Sequence, residues 1–276
     1  MSERGEPGIP ASSERGPSGP AARLLKPRVG QTLGWLALAS LVVLALFGLW
    51  GAPPDRVQSD AQRLMYLHVP VAWVAYLAFG VTALSSALWL WPRTRAFVWD
   101  RVAGASAEIG VVFTALTLVD GSLWGRPVWG VWWAWDARLV TTAVLFFLYL
   151  GYLALRRIPS SPEARAKRCA IAALVAFVDV PIVHFSVDLW RTLHQEGTVF
   201  NEELNAHIHG VMAFTLWFGV FAFTLLYVYL LDKRYRLLVL DETREEREVE
   251  RAIRERVGAP PPPTAPLPPV EVGAPQ

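Results

Sequence analysis

The sequence predicts an all-α integral membrane protein with six transmembrane helices. Apolar residues make up 53% of the chain and charged residues only 18%, a more apolar balance than soluble domains of this size show. Six apolar runs approach the roughly 20 residues that an α-helix needs to cross a bilayer. Basic residues are also distributed very unevenly over the segments that join these runs. Together these observations define the fold class.

Residues 31–231 are predicted to form one membrane domain. The six predicted spans cover about 32–50, 68–91, 102–119, 139–155, 169–187 and 210–231. Glu108 in the third span and Asp179 in the fifth are the only Asp, Glu, Lys or Arg residues within these runs. Such groups are costly inside a bilayer unless they are paired or hydrated. Glu108 and Asp179 are therefore expected either to have a function or to hold helices together.

The segments outside the membrane domain differ from it in composition. Residues 1–30 are rich in Gly, Pro, Ser and charge, which predicts a disordered cytoplasmic leader. Residues 232–257 alternate acidic and basic side chains, as in the pair Glu250 and Arg254, which favours a charged, solvated cytoplasmic helix. Residues 258–276 contain eight prolines and predict a disordered tail.

The charges on the connecting segments predict the orientation. Lys and Arg in short connections are retained on the cytoplasmic side. One side of the predicted domain carries fourteen of them and the other side carries five. The five are Arg56, Arg63, Arg126, Arg138 and Arg191. We therefore expect both termini in the cytoplasm and the connections 51–67, 120–138 and 188–207 outside.

Tryptophan residues are concentrated in the connection 120–138. Five of the thirteen tryptophans lie there, namely Trp124, Trp129, Trp132, Trp133 and Trp135. They could form an interfacial belt, but a belt spreads its tryptophans over several segments. The Gly and Pro residues among them argue against a long regular helix. We therefore interpret 120–138 as an external Trp-rich segment that contacts a ligand.

The residue types on this predicted outer face suit a noncovalently held heme. A porphyrin is a flat apolar disc with two carboxylates, so it requires aromatic surfaces, imidazoles for the iron and cations for the propionates. His68 opens the second span and His194 lies in the last outer connection, so the two could approach the iron from opposite sides. Arg126 or Arg138 could pair with the propionates. The single cysteine excludes a C-x-x-C-H segment for covalent attachment.

The other three histidines are weaker candidates for iron ligands. His184 lies near the outer end of the fifth span, and Asp188, four residues later on the same helical face, could accept its proton. We expect His184 to support the site without binding the metal. His207 and His209 are two residues apart and make a poor pair on a helix. They remain rivals to His194 as a single axial ligand.

Four motifs, in order along the chain, resemble those of a known family. They are YLHVPVAW at 66–73, WGRPVWGVWWAWDAR at 124–138, PIVHFSVDLW at 181–190 and TLHQ at 192–195. These segments resemble the heme exporter protein C family (CcmC), the C component of the bacterial cytochrome c maturation system. The resemblance covers roughly residues 34–231.

The resemblance implies a specific ligand and site. Heme b would be held noncovalently with His68 and His194 as axial iron ligands, against the Trp-rich segment that includes Asp136. The heme site would face outward from the bacterial cytoplasmic (inner) membrane, and the heme would pass to a periplasmic heme chaperone. Whether heme crosses the bilayer through this chain or enters sideways from the lipid is left open.

The resemblance also implies a complex. The family works beside an ATP-hydrolysing subunit, a second membrane subunit and a small single-span subunit of an ABC transporter. The sequence contains no G-x-x-x-x-G-K-[ST] loop, so ATP hydrolysis is expected from a partner. We do not expect this chain to be an enzyme.

Three alternatives use similar residues. A membrane cytochrome b that conducts electrons would place histidine pairs deep in facing spans, and the predicted spans contain no such pair. A heme lyase of the other cytochrome c assembly pathway shares the Trp-rich signature but is usually much larger. A scaffold without a cofactor would leave the coincidence of Trp and His unexplained.

The formal charge of +2, with scattered basic residues, indicates no nucleic-acid partner.

Overall fold

A computed structural model of the chain describes residues 24–194 and 209–257. Within these residues there are seven α-helices: α1 (Pro27–Leu46), α2 (Met65–Leu90), α3 (Phe97–Trp129), α4 (Ala137–Arg156), α5 (Pro162–Phe177), α6 (Asp179–Leu189) and α7 (Gly210–Val257). A π-helical turn, Phe47–Gly51, extends α1, and a short 3-10 helix, Asp60–Leu64, precedes α2. Six helical segments are long and apolar enough to cross a membrane, with α5 and α6 forming one of them. The predicted all-α, six-span fold class is confirmed.

Helices α2 and α3 form the centre of the bundle and pack along each other. On one side, α7 packs against α1, α2 and α3, around a buried cluster that includes Val74, Phe113 and Phe223. On the other side, α4 and α5 pack against the central pair around Phe79 and Tyr149. Helix association in a bilayer depends on this close packing, because lipid is as apolar as the side chains.

Small residues allow α3 to approach α2 closely. Ala103, Ala107 and Gly110 are buried on α3, and a Cβ added at Gly110 would lie 2.5 Å from Cε1 of Phe79. The Phe79 ring is fully buried and stacks on Tyr149 with 3.7 Å between ring centroids. The ring has little freedom to move aside, so position 110 requires the absence of a side chain.

We expect Gly110→Ala to lower the free energy of unfolding by about 1–3 kcal/mol, the usual cost of overpacking a core. Gly151→Ala is the matched control, because a Cβ at this position of α4 meets no atom within 4 Å. Thermal unfolding in detergent should show a lower midpoint for the Gly110 variant alone. Equal midpoints for the two variants would contradict the close packing of α2 on α3.

Helix α3 is longer than the sequence predicted. It continues through Gly121, Gly125 and Pro127 to Trp129, so the expectation that Gly and Pro prevent a long regular helix in this segment is wrong. Pro127 lies in the last turn, where it removes only one backbone hydrogen bond. The helix ends at Gly130, whose φ of 80° is left-handed and favours glycine.

Other boundaries also differ from the prediction. Helix α1 begins at Pro27, inside the predicted leader, and α7 runs without a break through the charged segment 232–257. The fifth span is interrupted at Val178, between α5 and α6, because Pro181 has no N–H to bond the carbonyl of Phe177. Residues 1–23, 195–208 with His207, and the tail 258–276 lie outside the described residues.

Partly buried ion pairs tie four helices together at the end of the bundle opposite His68, which we call the arginine end. Arg156 donates to both oxygens of Asp100, at 2.7 and 3.1 Å. Arg165 bridges Asp100 and Glu242 at 3.4 and 2.9 Å, and Arg101 donates to Glu242 at 2.7 Å. The network joins α3, α4, α5 and the charged extension of α7.

The two ionisable residues singled out within the spans have different surroundings. Glu108 forms a bidentate ion pair with Arg234 of α7, which favours the interpretation that it holds helices together. Asp179 begins α6, is 8% exposed, and its Oδ2 has no hydrogen-bond partner among the described residues. The lone Cys169 is fully buried in the core cluster that also contains Tyr149.

Candidate functional site

A cavity of about 720 Å³ lies between α2, α3, α4, α6 and α7 at the end of the bundle that carries His68, which we call the histidine end. Its volume is within the range of about 300–1,000 Å³ that is usual for small-molecule sites. The aromatic residues that line it are Trp73, Tyr76, Trp124, Trp129 and Trp217. The polar lining includes His68, His184, His194 and Arg138. The cavity therefore combines aromatic walls, imidazoles and a cation.

His68 lies in the first turns of α2 and is held against α3. Its Nδ1 lies 3.2 Å from Oδ2 of Asp120, and its ring forms a T-shaped pair with that of Trp124, with 5.6 Å between centroids. A Cβ added at Gly121 would lie 3.0 Å from Cε1 of His68. Asp120, Gly121 and Trp124 occupy about one turn of α3, so a single helical turn supplies all three of these contacts.

The connection before α2 positions the side chain of Trp124 through a hydrogen bond. The indole Nε1 of Trp124 donates to Oε1 of Gln58 at 3.0 Å. Asp55 accepts the backbone N–H groups of Val57 and Gln58, both at 2.8 Å, and so shapes the turn that presents Gln58. These backbone hydrogen bonds lower the pKa of Asp55 below its ordinary value.

His194 lies beyond α6 and is held by the residue that caps α4. Its Nδ1 lies 3.4 Å from Oδ1 of Asp136, and its ring meets Trp129 edge-on at 4.9 Å between centroids. Asp136 accepts the Arg138 N–H at 3.0 Å, the Leu193 N–H at 2.7 Å and the Thr192 hydroxyl at 2.5 Å. Burial alone would raise the pKa of Asp136, but these hydrogen bonds lower it below its ordinary value.

The surroundings of His194 favour a neutral imidazole. Burial and the nearby Arg138 guanidinium lower the pKa of His194 to about 4, with a smaller repulsion from His68 and with Asp136 acting in the opposite direction. A neutral ring can coordinate a metal without first losing a proton. His194 is thus available as a ligand across the physiological pH range.

A pH titration of the ligand-free protein should show this effect. We expect the His194 ring to stay neutral until the pH falls close to 4, whereas in the unfolded chain it protonates near 6.5. Its contribution to stability is therefore fully present above about pH 6.5 and is lost as the pH falls toward 4. Imidazole chemical shifts measured by NMR report the titration, and Arg138→Gln should raise the midpoint. Protonation near pH 6.5 in the folded protein would contradict the burial of this ring.

Arg138 and His184 complete the polar lining. One guanidinium nitrogen of Arg138 donates to the backbone carbonyl of His184 at 2.7 Å, while its Nε has no hydrogen-bond partner among the described residues. The His184 ring lies edge-on to Tyr76 and Phe185. It makes no hydrogen bond to Asp188, so the pairing anticipated from their spacing does not form.

The five tryptophans of the predicted Trp-rich segment divide into two groups. Trp124 and Trp129 lie on α3 and line the cavity. The other three lie on the segment after α3, outside the cavity lining, with exposed fractions of 58% for Trp132, 37% for Trp133 and 86% for Trp135. We call these three the exposed tryptophans. A cluster of exposed aromatic residues is typical of a surface that meets a ligand or partner.

Arg126 is the other predicted partner for carboxylates. It is not among the residues that line the cavity; it donates to the backbone carbonyl of Gly130 and lies 6.0 Å from the ring centroid of Trp132. Arg126 therefore lies beside the exposed tryptophans, whereas Arg138 lies in the cavity.

Sequence reasoning missed Asp120, Trp73 and Trp217. Asp120 directly follows the predicted third span, at the start of the predicted external connection 120–138. Had the helix been extended to Trp129, the spacing of four residues would have placed Asp120 and Trp124 on one helical face. Trp73 ends the motif YLHVPVAW and donates to Thr224 of α7 at 3.0 Å, but its position five residues after His68 did not indicate a shared cavity.

The chain is similar to proteins of one family. The family model described as heme exporter protein C matches residues 20–250. The proteins named heme exporter protein C from Bradyrhizobium diazoefficiens and Escherichia coli K12 are 40% and 38% identical to this chain. These alignments cover 72% and 78% of this chain and 75% and 89% of the relatives. A mitochondrial protein of Arabidopsis thaliana, named as a ccmC-like protein of cytochrome c biosynthesis, is 34% identical over 78% of this chain and 80% of its own length.

Proposed function

The chain belongs to the heme exporter protein C family, and from this premise we propose that it binds heme b noncovalently in its cavity for cytochrome c maturation. His68 and His194 are the proposed axial iron ligands. The observation that carries the proposal is that both line one cavity, each with Nδ1 within 3.4 Å of a carboxylate oxygen. This arrangement directs a metal to the other ring nitrogen, Nε2.

The cavity lining suits the rest of a heme. Trp124 and Trp129 offer apolar ring edges beside the two histidines. The free Nε–H of Arg138 can donate to a propionate. Arg126 is a second propionate partner at the rim, and His184 supports Arg138 through its backbone carbonyl. Asp136 holds His194 in place and also caps the helix that carries Arg138.

We further propose that the histidine end faces the periplasm from a bacterial inner membrane. The excess of Lys and Arg lies on the connections at the opposite end, and such residues are retained in the cytoplasm. Heme bound in this cavity is then accessible to a periplasmic heme chaperone. The chain itself needs no catalytic group for this role, since it forms no covalent bond to heme.

The exposed tryptophans are the proposed contact for that chaperone. They adjoin Asp136, which holds His194, so a partner bound there would reach the edge of the heme. Tryptophan is enriched where binding energy is concentrated at protein interfaces. The ATP-hydrolysing subunit, the second membrane subunit and the small single-span subunit are the proposed partners within the membrane complex.

A transfer assay tests the proposed delivery. Heme-loaded protein in detergent is mixed with heme-free chaperone, and the heme that reaches the chaperone is measured. The triple variant Trp132→Ala, Trp133→Ala, Trp135→Ala is expected to keep its own heme but to load the chaperone about tenfold less, equivalent to about 1.4 kcal/mol of lost binding. Trp35→Ala is the control, because Trp35 is 72% exposed on α1 and outside the cavity lining.

Two results would count against this proposal. Unchanged loading by the triple variant would remove the exposed tryptophans from the transfer surface. Equal loss of loading in Trp35→Ala would show that the assay reports a general loss of surface tryptophan and not a specific contact.

A further inference from the structure

We propose that Asp120 is a positioning residue for His68, whose carboxylate holds the proton on Nδ1 and directs Nε2 to the iron. The inference deepens the proposed function and rests on it. The sequence motifs did not single out Asp120, and its role follows from the packing of α3 on α2.

The geometry places the carboxylate beside the correct ring nitrogen. Oδ2 of Asp120 lies 3.2 Å from Nδ1 of His68, but the two atoms are not aligned for a hydrogen bond. The two side chains are 9% and 17% exposed. A small rotation of the imidazole would align Nδ1 with the carboxylate. Coordination of Nε2 to a metal would favour that rotation.

Asp120 has no other partner among the described residues that explains its burial. Neither carboxylate oxygen has a hydrogen-bond partner among the described residues, and His68 is its only ion-pair neighbour there. A buried carboxylate without donors is costly. Asp136 differs, because three donors bind its oxygens in addition to its contact with His194. Within the part of the chain that the structure describes, His68 is therefore the one neighbour that accounts for the burial of Asp120.

Helix α3 contacts the His68 imidazole through three residues. Asp120 faces Nδ1, the Cα of Gly121 leaves room for Cε1, and Trp124 covers the ring edge-on. A ring fixed in this way has one nitrogen against the protein and one toward the cavity. A histidine that binds a metal through one ring nitrogen commonly donates the N–H of the other nitrogen to a carboxylate.

The chemical consequence is a more basic iron ligand. When the carboxylate accepts the Nδ1–H, electron density on Nε2 rises, which stabilises the more positively charged, ferric iron over the ferrous iron. A neutral residue at position 120 should weaken heme binding and raise the reduction potential of the bound heme. A purely structural role for Asp120 would reduce the yield of protein without moving the potential.

The test compares heme affinity and midpoint potential in the purified full chain. We expect Asp120→Asn to bind heme about tenfold or more weakly. If ferric binding weakens tenfold more than ferrous binding, the potential rises by about 59 mV. Asp179→Asn is the matched control, since it neutralises another carboxylate buried within a span that does not line the cavity. Asp120→Thr is a second neutral variant, measured in case the Asn variant fails to accumulate.

The outcomes separate this inference from the function on which it rests. Wild-type protein without heme, or heme unaffected by His68→Ala, would overturn the proposed function. Six-coordinate heme in the wild type, with the same affinity and potential in the Asp120 and Asp179 variants, would overturn the positioning role alone. A rise in potential confined to the Asp120 variants supports it.

Discussion

His68→Ala is expected to lose the six-coordinate heme, with at least a 100-fold fall in heme affinity. Replacing partners that only orient a ligand already costs roughly 10–100-fold, so loss of an iron ligand should cost at least the upper end of that range. His68 lies on α2, packed against α3 by Asp120 and Trp124, and neither neighbour can replace it on the iron. Heme content and the absorption spectrum of the purified variant measure the effect.

Two further measurements make this prediction specific. Added imidazole should restore a six-coordinate spectrum in His68→Ala, because the variant leaves a space where the ring stood. His209→Ala should retain the wild-type spectrum, since His209 precedes α7 and does not line the cavity. If His209→Ala loses heme while His68→Ala keeps it, the assignment of the ligand pair is wrong.

Arg156→Leu is expected to lower the free energy of unfolding by about 3–5 kcal/mol, the usual cost of leaving one member of a buried ion pair without its partner. The guanidinium of Arg156 binds both oxygens of Asp100, and the two side chains are 12% and 4% exposed. Among the described residues, Arg165, at 3.4 Å, is then the one ion-pair partner left to Asp100. Denaturant unfolding in detergent measures the change.

Two controls accompany this stability prediction. The double variant Arg156→Leu, Asp100→Leu should recover much of the loss, because no charge is then left buried alone. Arg254→Ala, which breaks an exposed pair with Glu250 on α7, should change stability by only about 0.5 kcal/mol or less. An equally small effect for Arg156→Leu would mean that water reaches the arginine end freely.

The fold class followed from the sequence because a bilayer imposes length and polarity on every span. The end of α3 did not follow. Gly121, Gly125 and Pro127 are turn and loop residues in most contexts, but on α3 Gly121 lies beside the ring of His68 from α2, and Gly125 leaves room for the ring of Trp129 one turn later on the same helix. One tertiary contact and one contact within the helix therefore both use residues whose local preference is for a helix end.

The fold brings some of the predicted site residues together and leaves others apart. His68, His194, Trp124, Trp129 and Arg138 line one cavity, whereas the three exposed tryptophans and Arg126 lie outside its lining. Asp120 could not be assigned from the sequence, because its contact with His68 depends on how α2 and α3 are rotated against each other. Helices that are apolar on every side carry little periodicity from which such a rotation can be read.

The most direct test of the central claim is the absorption and EPR spectrum of the purified wild-type protein produced together with its chaperone. The proposed function predicts a low-spin, six-coordinate heme with two imidazole ligands that is removed completely by acidified solvent. Protein without heme, heme with one axial ligand from the chain, or heme that stays attached after extraction would contradict it.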